Sequence, residues 1–175
     1  NFEDLQCLKQ YIGDRTIVQL GESSHGTKEY NLMKVRLIKF LHQEMGFEVI
    51  AFESGFFECN YIFQNLGYYT PEEAIVNSVY GNVWVNEEVL NLFEYIYTSA
   101  VCDNPLILSG FDNFKTTSIL EKRADELSNM LGIIDSTYAQ QIYEFDIEKM
   151  YPFGSYATDN YREDSDIDVA IVVTD

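Results

Sequence analysis

Basic side chains are scarce in this sequence: 11 Lys and Arg stand against 29 Asp and Glu, a formal net charge of -18. A polyanion approaching such a surface is repelled before contact, so general nucleic-acid binding is disfavoured. Cysteine is equally sparse. Cys7, Cys59 and Cys102 are an odd number without close pairing, and neither histidine lies near them at zinc-ligand spacing. They read as reduced thiols rather than a disulfide framework or a zinc site. No apolar run approaches the roughly 18 residues of a membrane span, and no basic start with a short apolar stretch marks a signal peptide. The expectation is a cytoplasmic protein without a membrane partner. An initiator methionine is also lacking: the chain opens at Asn1 and ends abruptly at Asp175, as expected of a piece of a longer protein.

What is present suits a folded domain. The 175 residues fit one ordinary domain, or one domain plus a fragment of another, and 46% of them are apolar. With 13 Tyr and 12 Phe there is ample surface to bury against the entropy of ordering the chain. Residues 16–20 form a short β-branched run that breaks at Gly21, and the polar turn GESSHG (21–26) leads into a helical pattern over 27–45. That pattern places Tyr30, Met33, Leu37, Phe40 and Leu41 on one stripe and turns Lys28, Lys34 and Glu44 elsewhere, with Gly46 as a left-handed stop. Residues 47–52 read as a second buried strand, and 55–65 as a loop followed by a short helix. Thr70-Pro71-Glu72-Glu73 carries a capping box that starts another helix, one more is expected over 86–101, and a third strand spans 106–109 before Gly110-Phe111-Asp112. A further helix is expected over 116–131. Strands alternating with helices at this spacing predict an α/β fold, a mainly parallel sheet with helices packed on both faces. From about residue 143 the pattern changes, as though another module were opening.

In an open parallel sheet, ligands bind beyond the carboxyl ends of the strands, where loops converge and helix N-termini point. Every notable polar residue falls there: Glu22 and His25 after the first strand, Glu53 at the end of the second, Asp112 after the third. A histidine takes a proton from water near neutral pH, and a carboxylate within hydrogen-bond reach fixes its tautomer and stabilises the imidazolium. Either Glu22 or Glu53 suits that part. Backbone amides around residues 24–27, at a helix start, are candidates to stabilise a developing oxyanion. Ser23 and Ser24 lack the GxSxG elbow of a serine hydrolase. His42, inside the amphipathic helix, reads as a surface or packing residue.

The string IVQLGESSHGTKEYNLMKVRLIKFLHQEMGFEVIAFESGF, residues 17–56, resembles the start of the erythromycin esterase family, and a weaker likeness runs on through Trp84 to SGFDN at 109–113. The resemblance implies a three-layer α/β/α fold over about residues 1–140 and hydrolysis of macrolide lactones or other esters without a cofactor. It implies that His25 is the water-activating base and that Glu22 and Glu53 are active-site carboxylates. Where the family carries an arginine nine residues past the histidine, this chain has Lys34, with Arg36 two residues on. Lysine keeps the charge but loses the bidentate fork. Lys34, Arg36 and Asp112 are the expected substrate-binding residues. The family completes its site with later histidines, and this sequence has none after His42.

A second constellation lies at the far end. Asp166 and Asp168, one residue apart on a strand, point to the same face, as two-metal phosphoryl transfer requires. Gly154-Ser155, just upstream, suits a phosphate held by backbone amides. FGSYATDNYREDSDIDVAIVV, residues 153–173, resembles the minimal nucleotidyltransferase family related to polymerase beta, with Asp159 where a glycine is usual. That resemblance implies a partial β-α-β segment over about residues 141–175. Gly154 and Ser155 would contact a nucleoside triphosphate, and Asp166 and Asp168 would hold Mg2+. The family's third carboxylate has no counterpart in this sequence. Three readings follow: an ester hydrolase, a Mg-dependent nucleotidyltransferase, and an inactive fusion or truncation product in which neither site is whole.

Overall fold

The computed structural model describes residues 1–112, Ile119, Lys122 and residues 169–172. The helix expected over 116–131, apart from Ile119 and Lys122, and the four C-terminal site residues Gly154, Ser155, Asp166 and Asp168 lie outside the described residues.

A short opening helix, α1 (Leu8–Ile12), precedes strand β1 (Ile17–Gln19) and the long helix α2 (Lys28–Met45). Gly46 ends α2 in the left-handed region at φ 73°, a conformation that glycine adopts without steric cost. Strand β2 (Val49–Gly55) follows, and α3 (Phe56–Gln64) begins at the very next residue, without an intervening loop. Next come α4 (Pro71–Ser78), the single turn α5 (Gly81–Trp84), α6 (Glu87–Ser99) and strand β3 (Ile107–Asp112). The capping box at the start of α4 is formed, with Thr70 Oγ1 accepting from the Glu73 amide and Glu73 accepting from the Thr70 amide. Asn86 caps α6 through the Val89 amide. The fourth strand, β4, is Val169–Val172.

Strand order across the sheet is β1-β4-β2-β3. β2 and β3 pair in parallel, while β4 is antiparallel to both β1 and β2. It follows that β1, β2 and β3 share one direction and bring their carboxyl ends to one edge. The α/β class therefore holds, and the alternation of elements foresaw the common direction of these strands. It did not foresee the reversed strand among them, since a short apolar run such as VAIV reads alike in either direction.

α3 packs on β3, α4 lies against α3 and α6, and α6 packs on α2. Phe40, Phe47, Ile50, Phe52, Trp84, Phe93, Ile96 and Leu108 are sealed into one apolar cluster. Phe52 meets Trp84 edge to face at 5.4 Å, the arrangement that ring quadrupoles favour.

The buried stripe of α2 differs from the expected one at its N-terminal half. Tyr30 and Met33 are exposed, whereas Asn31 and Lys34 are buried together with Val35, Ile38 and Leu41. The physical reason is that the inner face of the helix changes character along its length. Toward its C-terminus it covers the apolar core, and toward its N-terminus it covers a polar cluster, so hydrophobicity alone misplaces the stripe there.

Candidate functional site

The loop after β1 delivers Glu22 and His25. His25 Nδ1 lies 3.0 Å from Glu22 Oε1, and Lys34 Nζ, from α2, donates to Glu22 Oε2 at 2.9 Å. The carboxylate thus divides its two oxygens between an imidazole and an ammonium. Exposure separates their roles: the side chains of Glu22 and Lys34 are 1% and 7% exposed, and that of His25 is 43% exposed. A buried ion pair orients a ring that solvent can reach. Burying one of these charges without the other would cost several kcal/mol, so the pair holds the loop against the helix.

Lys34 reaches further. Its ammonium stands 4.9 Å from the centre of the Trp84 ring, within cation–π range, and the Trp84 indole N–H donates to the Glu53 carbonyl at 3.4 Å. Contacts therefore run without a break from His25 through Glu22, Lys34 and Trp84 to the backbone of Glu53. The turn with the imidazole and the tip of the second strand stand over the same edge of the sheet.

Glu53 sits where the β2–β3 register shifts, between Phe52 and Gly55. Such a bulge disrupts the ladder and re-aims a side chain, and it leaves backbone groups that need other partners. Side chains meet that need: Ser54 Oγ donates to the Glu53 carbonyl at 2.7 Å and accepts the Tyr80 amide at 2.9 Å. Gly110 makes room for the bulge on β3, since a Cβ there would lie 2.3 Å from the Ser54 carbonyl oxygen.

Asp112 ends β3 opposite Gly55. Its Oδ2 is buried and has no hydrogen-bond partner among the described residues, and desolvation pushes the carboxyl up from 3.8 to about 6. Arg36 is not brought to this cluster. Its guanidinium forks onto Asp4 at 2.8 and 2.5 Å and reaches the Asn1 carbonyl, and the paired charge holds the Asp4 carboxyl down at about 2. Positions two apart on a helix do not share a face, so Lys34 and Arg36 cannot serve one site.

The serines make other contacts. Ser23 Oγ lies 3.0 Å from the Tyr30 hydroxyl, which ties the loop to α2, and Ser24 Oγ approaches the His25 carbonyl at 3.5 Å. His42 is a packing residue: it is buried, its Nδ1 meets the Tyr95 hydroxyl at 2.6 Å, and burial lowers its pKa. Trp84 is the residue whose part at this site the sequence did not reveal, and Asn31 is a buried polar residue outside the expected stripe. Trp84 is the chain's single tryptophan, and Asn31 lies one turn before Lys34 on the same face of α2. Cys59 is buried, Cys7 and Cys102 are exposed, and all are free thiols. Among the described residues no helix is long and apolar enough to cross a membrane.

The chain is 46% identical over 110 residues to a putative hydrolase, YbfO, of Bacillus subtilis (strain 168), a match that covers 63% of this chain and 24% of that protein. It is 43% identical over 58 residues to erythromycin esterase type II of Escherichia coli, covering 33% of this chain and 14% of that protein. Residues 136–175 match the family model of the nucleotidyltransferase domain. The chain resembles two families in succession. Both resemblances read from the sequence are thus found, the erythromycin esterase type in the front of the chain and the nucleotidyltransferase type at its end. The chain matches no more than about a quarter of the length of these curated relatives. No solved structure matches it.

Proposed function

We propose that this chain carries the water-activating part of an ester hydrolase of the erythromycin esterase type. The observation that carries the reading is the buried Lys34–Glu22 pair holding His25 Nδ1 at 3.0 Å while the ring remains reachable from solvent. With the Nδ1 proton donated to Glu22, the lone pair of the neutral ring is on Nε2. That nitrogen takes a proton from water as the water oxygen attacks the carbonyl of a lactone or other ester, and it returns the proton to the departing alkoxide. Glu22 stabilises the imidazolium formed in between, and the amides at the start of α2 face the developing oxyanion. Glu53 is the second carboxylate of the site, and Lys34 and Asp112 contact substrate. The fold proposed around it is the three-layer α/β/α arrangement, and the reaction needs no cofactor.

The test is hydrolysis of a macrolide lactone and of a simple chromogenic ester by the full chain. His25→Ala should abolish turnover, and Glu22→Gln should lower kcat by about 10²–10⁴-fold, the usual worth of positioned acid–base catalysis. Undiminished hydrolysis by His25→Ala would refute the assignment.

A second reading is favoured by the match over residues 136–175. In it Gly154 and Ser155 contact a nucleoside triphosphate, and Asp166 and Asp168 are the carboxylates that would hold Mg2+. The ion would neutralise phosphate charge when bound. Nucleotide binding that requires Mg2+ and is lost in Asp166→Ala supports this reading. Silence in both assays supports the third, a chain in which neither site is whole.

A further inference from the structure

We infer that the sheet has a slot between β1 and β2 that takes one antiparallel apolar strand, and that the chain's own β4, from the nucleotidyltransferase-like segment, is its occupant. β1 and β2 run in the same direction, yet they do not pair with each other. β4 stands between them, and the same residues serve both sides: Ala170 is opposite Gln19 and Ala51, Ile171 opposite Val18 and Ile50, Val172 opposite Ile17 and Val49. Neighbouring strands lie about 4.7–4.9 Å apart, so two strands flanking a third are about twice that distance from each other, the width of one strand.

The chemistry of the occupant suits the position. VAIV has no charge and no proline, as a strand with a ladder on each side requires, and three of its four residues are β-branched. β1 depends on it. This strand has only three residues, two of them exposed, and among the described residues β4 is its one neighbour in the sheet. Backbone bonds to β4 are then what fix β1 in the sheet, because its side chains bury little. The loop with Glu22 and His25 leaves β1 directly, so the strand from the C-terminal segment sets the height at which that loop stands. β4 also enters at the matching edge, since its first residue, Val169, is opposite Phe52, next to Glu53. A segment whose sequence belongs with one chemistry thus completes the sheet that presents the residues of another. This inference concerns strand placement and is independent of what His25 does.

Disulfide trapping in the full chain tests it. The exposed Cys7 and Cys102 are first replaced by serine. Directly opposite residues come within disulfide reach at a non-hydrogen-bonded pair, which a residue of an inner antiparallel strand makes with one of its two neighbours, whereas an offset of one residue sends the side chains to opposite faces. One of the double variants Gln19→Cys/Ala170→Cys and Ala51→Cys/Ala170→Cys should form an intramolecular disulfide on mild oxidation, and the offset pair Val18→Cys/Ala170→Cys should not. Gln19 is exposed and Ala170 is small, so the first pair asks little of the fold even if the Ala51 pair perturbs it. The inference is overturned if neither the Gln19/Ala170 nor the Ala51/Ala170 disulfide forms, or if the offset pair forms as readily. It is overturned equally if the disulfide joins two molecules, which would make a second copy the donor of the strand.

Discussion

A carboxylate with 1% exposure must have its charge met inside the protein, and Glu22 meets it with Lys34 on one oxygen and His25 on the other. Asp112 is the contrasting case, a carboxyl raised to about 6 by burial, with one oxygen that has no partner among the described residues. An acid whose folded pKa lies above its unfolded value binds its proton more tightly in the folded state. Stability is therefore lost as pH rises from about 4 to about 6, and the penalty is complete above that range. Asp112→Asn removes the ionisation and little else. Thermal unfolding should show the variant more stable than the parent at pH 7.5 and equal to it at pH 4; a difference that does not change with pH would mean that Asp112 is not desolvated. That these two carboxylates differ was hidden in the sequence. Glu22, His25, Glu53 and Asp112 were legible as a group because each follows or ends an apolar run, but spacing carries no information on which oxygen finds a partner. Nearness in the sequence groups Arg36 with Lys34, and helical geometry separates them.

Among the elements, those with local chemical signals were legible. The capping box of α4, the Asn86 cap of α6 and the Gly46 stop of α2 each follow from one or two residues whose hydrogen-bonding or backbone preference admits few alternatives. The inner stripe of α2 was not legible at its start, because Asn31 and Lys34 are polar residues that are buried, Lys34 by its pairing with Glu22. Strand ends lie beyond the apolar runs as well. β2 extends to Gly55 and β3 to Asp112, since the bulge at Glu53 lets the ladder resume beyond the apolar runs. Gly110 is the element-scale test of that bulge. Gly110→Ala places a methyl 2.3 Å from the Ser54 carbonyl oxygen and 2.7 Å from that of Gly55, backbone atoms that cannot swing aside. Overpacking of this kind costs about 1–3 kcal/mol or more, read as a lower denaturant midpoint at unchanged m-value. A variant as stable as the parent would show that the two strands are not in such close contact.

Across the whole molecule, the direction of β1, β2 and β3 was legible from their alternation with helices, and the place of β4 was not. Pairing partners far apart in sequence are set by which edges are open, a property of the assembled sheet rather than of any window of residues. The same holds for the site. Glu22 and His25 come from the loop after β1, Lys34 from α2, Trp84 from α5 and Glu53 from β2, and only the fold makes them neighbours. The consequence of that convergence is a single ring proton with a defined place. The chain has two histidines, so their imidazole nitrogens are resolved by long-range proton–nitrogen NMR at a pH where the rings are neutral. Glu22 should hold the proton of His25 on Nδ1, and Glu22→Gln should shift that nitrogen's signal; a ring protonated on Nε2, with a spectrum unmoved by the substitution, would contradict the account.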